Sequence, residues 1–145
     1  MSGARRVGLR LVGPAAAVTA FHQAREGIWA AAWYFFGYGW PVVGEVMAGV
    51  RPAALVVPIG LMVLAAVLGA AIGLRQARWA SILLLIWVLF ECLSTGLPLV
   101  RGVLNFALVI NIAWAFTAVR SVAGAFTLAR LMRVASASAQ AEVFS

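Results

Sequence analysis

Four apolar stretches, each about the length of a membrane-crossing helix, follow one another with almost no chain between them. They cover residues 27 to about 50, 53–74, 79–100 and 102 to about 119. A hydrocarbon core of about 30 Å takes roughly 20 helical residues to cross, so each stretch is predicted to be one transmembrane helix. A barrel strand would alternate polar and apolar positions, and residues 53–74 show neither alternation nor charge. The connections are Arg51-Pro52, residues 75–78, and Arg101. Links this short force consecutive helices to run side by side in opposite directions. The predicted fold class is therefore all-α: a polytopic membrane protein, built as an antiparallel up-down four-helix transmembrane bundle.

The polar positions orient this bundle. All eleven basic residues are arginine, and they sit at the borders of the apolar stretches. Arg5, Arg6, Arg10 and Arg25 precede the first stretch, Arg75 and Arg78 separate the second from the third, and Arg120, Arg130 and Arg133 follow the fourth. The alternate borders hold Arg51 and Arg101 alone. By the positive-inside rule both termini belong in the cytoplasm. A fifth span over residues 7–21 would put the ends on opposite sides and spoil the asymmetry. Residues 1–26 are thus read as a short cytoplasmic or interfacial N-terminal segment, 27–129 as the four-span domain, and 130–145 as a cytoplasmic tail that frays. The alternative is a first span over residues 14–40, which would place His22, Gln23, Arg25 and Glu26 at mid-depth, a costly burial.

Composition narrows the class. Hydrophobic residues make up 65% of the chain and charged ones 10%, where soluble domains carry roughly a quarter charged. The net charge of +7 is scattered over span ends, so nucleic acid is not the expected partner. Lysine and aspartate are absent altogether. That is the signature of a GC-rich genome and points to a bacterial inner membrane. Cys92 stands alone, which leaves no intrachain disulfide.

Candidate chemistry is sparse. Glu91 lies within the third stretch, where a charge costs on the order of 2–3 kcal/mol, so it is either a structural hydrogen-bonding group or a proton or cation site. Glu91 and Asn111 each lie ten residues from Arg101, on either side of it, and are expected to face each other at one depth, above a Trp87–Trp114 contact. Thr95 and Asn105 would bound a polar pocket with Glu91, next to the helix-stopping Gly96 and Pro98. Glu45 is expected to form an ion pair at the headgroup level with Arg51 or Arg101.

Trp29, Trp33, Phe36 and Trp40 recur at spacings of four, three and four, forming one aromatic stripe on the first helix. Such a face suits lipid, a neighbouring helix or subunit, or the ring of a hydrophobic pigment or quinone. Ala65, Gly69 and Gly73 on the second helix, and Ala113, Thr117 and Ser121 on the fourth, are small residues at every fourth position, predicted to let helices approach closely. One histidine, one cysteine and no aspartate assemble neither a nucleophile–base pair nor a metal or haem site. The expectation is a non-enzymatic protein without a cofactor, an accessory or self-associating subunit of a larger membrane assembly. The alternative is a small proton- or cation-coupled transporter or channel-like oligomer that uses Glu91.

Overall fold

The computed structural model describes residues 3–103 and 105–143, with side chains from residue 13 to 140 apart from 104 and 139. The side chains of Arg5, Arg6 and Arg10 therefore lie outside the described residues. All described secondary structure is helical. Helix α1 spans Gly3–Met47, α2 Pro52–Arg75, α3 Arg78–Gly96 with a 3-10 continuation at Leu97–Arg101, and α4 Phe106–Val143.

Three of these are long and apolar enough to cross a membrane: Pro52–Arg75, Arg78–Arg101 and Phe106–Ser138. α1 is not among them. Its tyrosines, tryptophans and glycines between residues 27 and 40 dilute the hydropathy without adding charge. Large apolar side chains cover the outside of the other three helices, including Val56, Leu74, Phe90, Leu93 and Phe116. A soluble protein rarely exposes so much contiguous apolar surface.

The turns follow from local chemistry. α1 closes in a Schellman motif, in which the Val50 N–H donates to the Glu45 carbonyl and the Gly49 N–H to that of Val46. Gly49 takes φ +72°, a left-handed conformation that glycine adopts at little cost. Pro52 then opens α2, where its missing N–H is no loss. The α-helical part of α3 stops at Gly96, and Gly102 at φ +76° reverses the chain after the 3-10 turn. The Asn105 side chain caps α4 by accepting the Ala107 N–H at 3.0 Å.

Two segments carry helix beyond the apolar stretches. α1 runs unbroken through Pro14 and Pro41, so residues 3–26 and the first apolar stretch form one helix. The tail also stays helical to Val143. Alanine there favours the helix, and the Ser136 and Ser138 hydroxyls bond back to the carbonyls of Arg133 and Ala135.

α1 packs chiefly on α2 and α4, and α3 on α4, while α2 and α3 touch sparsely. Small residues set the spacing. A Cβ added at Gly69 would lie 3.2 Å from the Ala31 Cβ, and one at Gly73 3.0 Å from Ile28 Cδ1. Ala65 is fully buried in the same core. On the α1–α4 side, a Cβ at Gly27 would lie 2.6 Å from Ser121 Oγ, and one at Gly124 2.8 Å from the Ala20 carbonyl oxygen. Of the stripe expected on α4, only Ser121 is buried; Ala113 is exposed and Thr117 bonds back to the Ala113 carbonyl. The buried line is Asn111, Ala118, Ser121 and Ala125. Its spacing of seven, three and four follows the 3.6-residue period that strict fours drift away from.

Candidate functional site

The inner face of α1 carries the site. Taking Trp29 as the reference, 100° per residue puts Trp33, Phe36 and Trp40 on one side of the helix. Ala20, Ala24, Gly27, Ala31, Tyr34 and Tyr38 fall on the other, at spacings of four, three, four, three and four. The first five of these are buried. The small residues bring the helices together, and the two tyrosines follow where the gap widens.

Around Tyr34 and Tyr38 the interior polar groups form one network. Tyr34 and Tyr38 both stack on Trp87 of α3, with ring centroids 5.2 and 6.1 Å apart. The Tyr34 hydroxyl donates to Asn111 Oδ1 on α4 at 3.0 Å. That of Tyr38 donates to Glu91 Oε1 on α3 at 2.5 Å, and the same oxygen accepts the Trp87 indole N–H at 3.3 Å. Asn111 Nδ2 donates to Thr95 Oγ1 at 3.3 Å, and the Thr95 hydroxyl donates to the Glu91 backbone carbonyl at 2.6 Å. Three helices are thereby cross-linked by groups that an apolar interior would otherwise leave unpaired. Donors converging on one carboxylate oxygen offset much of the cost of its burial.

The structure brings Glu91, Asn111 and Thr95 together, but Glu91 and Asn111, expected to face each other, do not bond directly. Thr95 bridges them. The expected Trp87–Trp114 pairing gives way to two others: Trp87 stacks on the α1 tyrosines, while Trp114 packs against Trp33 at 5.9 Å. The Trp114 indole nitrogen is buried without a hydrogen-bond partner. Asn105 is a helix cap and no described hydrogen bond joins it to Glu91. The aromatic stripe faces outward, with Trp29 70%, Phe36 69% and Trp40 83% exposed.

A second polar layer lies about 15 Å away along α3, ten residues at 1.5 Å each. There Ser121 Oγ donates to the Ala24 carbonyl at 2.8 Å and pairs with Ser81 Oγ at 3.2 Å. At its edge Arg120 meets Glu26 at 2.9 Å, the salt bridge among the described residues. Among the described residues Glu45, expected to pair with Arg51 or Arg101, has no such partner. The sequence reading did not foresee the partners of Tyr34 and Tyr38, or the pairing of Glu26 with Arg120. The opposite-face register of α1 was the signal for the two tyrosines.

The arrangement defines a class: an all-helical protein with three membrane-length apolar helices, of which α3 and α4 are joined to α1 by a polar–aromatic network and α2 by close small-residue packing. Comparison with protein-family models, curated proteins and solved structures finds no match.

Proposed function

We propose that the chain is a four-span protein of a bacterial inner membrane, an antiparallel up-down bundle with both termini in the cytoplasm. α1 serves as the fourth span, its tyrosine hydroxyls satisfied inside the bundle. In this reading the protein is non-enzymatic and works as an accessory or self-associating subunit of a larger membrane assembly. The outward aromatic face of Trp29, Trp33, Phe36 and Trp40 meets a neighbouring subunit, a lipid or a hydrophobic ring such as a quinone or pigment. The observation that carries this is a division of labour on α1. Its polar aromatics bond inward to Glu91 and Asn111, and its large apolar aromatics turn outward.

The test is extraction in mild detergent with identification and sizing of what co-purifies. A Trp29→Ala/Phe36→Ala/Trp40→Ala variant should lose the associated component while keeping its helical content. A wild-type chain that emerges as a lone monomer with nothing bound overturns the reading.

Glu91 favours a second reading, a proton- or cation-coupled transporter. Its Oε1 accepts both donors, no described hydrogen bond reaches Oε2, and the residue is only half-buried. Glu91→Gln separates the two. An amide oxygen still accepts from Tyr38 and Trp87, so folding and assembly should survive. Ion or proton flux into proteoliposomes should vanish only if Glu91 is the coupling group.

A further inference from the structure

The turn between α2 and α3 stands at the rim of a cleft of about 600 Å³ that also borders α4. Arg75, Gln76, Arg78, Trp79, Phe126 and Met132 are among the residues that line it. That volume lies within the range of small-ligand sites, roughly 300–1,000 Å³. The Arg78 guanidinium lies 5.5 Å from the centre of the Phe126 ring, a cation–π contact that ties it to α4. Among the described residues, neither Arg75 nor Arg78 has a carboxylate within ion-pair distance. Trp79, Phe126 and Met132 are all about half exposed or more. The cleft therefore combines two guanidinium groups that have no carboxylate partner among the described residues with an apolar lining open to the surroundings of the bundle.

We propose that this cleft binds one anionic glycerophospholipid, and the proposal rests on the membrane-spanning reading above. Guanidinium groups match phosphate oxygens in a bidentate geometry that an ammonium cannot reproduce. Arg75 and Arg78 hold the phosphate, and Gln76 adds an amide donor between them. The Trp79 and Met132 side chains line the path of the first acyl carbons. A free phosphate has no use for that apolar lining, and an uncharged headgroup none for the two arginines. In the proposed threading the turn lies on the arginine-rich cytoplasmic side, where basic pockets between helices meet anionic headgroups.

The test is native mass spectrometry of the full chain released from micelles doped with phosphatidylglycerol or phosphatidylcholine of identical acyl chains. The wild type should retain one phosphatidylglycerol per protomer in preference to phosphatidylcholine. Arg75→Gln/Arg78→Gln should weaken that retention roughly 25-fold, about fivefold for each arginine at an anionic surface. Arg51→Gln/Arg101→Gln, at the opposite borders, should leave it unchanged, and glycerol phosphate without acyl chains should not displace the lipid. Equal retention of the two lipids by the wild type overturns the proposal whether or not any variant folds. So does undiminished retention by the Arg75/Arg78 variant, or displacement by glycerol phosphate, which would make the cleft a free-anion site. Alkaline carbonate extraction is the separate control: a chain released from membranes by carbonate refutes the membrane reading itself.

Discussion

Gly124→Ala is expected to destabilise the protein by about 3 kcal/mol, the upper end of the usual cost of overpacking. The added methyl would lie 2.7 Å from Gln23 Cβ and 2.8 Å from the Ala20 carbonyl oxygen, and it would run into the Ala24 backbone nitrogen. Two of these three obstacles are backbone atoms of α1, so no side-chain rotation relieves the clash. The helices must separate. Separation would also pull Ser121 from the Ala24 carbonyl, so the lost hydrogen bond adds to the strain. Gly60→Ala is the control, because nothing lies within 4 Å of the position its Cβ would take. There alanine should be neutral or gain up to about 1 kcal/mol from helix propensity. Thermal unfolding in detergent, followed by circular dichroism, reads both. If the two variants melt together, α1 and α4 are not in the close contact described.

The reason Gly124 escapes a reading of the sequence is instructive. The α2–α3 connection and the 3-10 turn after Gly96 could be placed from Arg75, Arg78, Gly96 and Pro98 because charges and helix breakers act locally. The extent of the α1–α4 crossing is a property of two helices at once. Charge placed the borders of those stretches at Gly27 and Val119, yet the close packing continues to Ala20 and Gly124, with Glu26 and Arg120 paired at the rim. An arginine that would otherwise mark an end becomes compatible with tight packing beside it. Depth was legible in the same limited sense. Equal counts about Arg101 brought Glu91 level with Asn111, but rotation about each helix axis decides partners. In the structure α1 supplies those partners: Tyr38 bonds Glu91 of α3 and Tyr34 bonds Asn111 of α4, groups that the hairpin alone would have paired. A tryptophan stripe is easier to notice than the small-residue line opposite it, although the buried line is the one that organises the core.

Asn111→Leu tests that organising role and should cost about 2–3 kcal/mol, the penalty of leaving a buried hydroxyl unsatisfied together with a lost bond. Asn111 is 6% exposed and Tyr34 5%, so water is poorly placed to replace the missing acceptor. Tyr34→Phe alone should cost about 1 kcal/mol, since Asn111 keeps its bond to Thr95 and interhelical hydrogen bonds in membranes average roughly 0.6 kcal/mol. The double variant is the informative one. With the hydroxyl and its acceptor both gone, phenylalanine and leucine can pack as an apolar pair, and the double loss should be smaller than the sum by about 1 kcal/mol. The Tyr34→Phe ring still stacks on Trp87, so the cycle isolates the hydrogen bond from the aromatic contact. Tyr38→Phe combined with Asn111→Leu should show a smaller coupling, because the Tyr38 hydroxyl bonds Glu91 and reaches Asn111 only through Thr95. Strict additivity for the Tyr34–Asn111 pair would mean that the bond between α1 and α4 does not hold the interior together, and the tyrosine stripe would lose its structural role.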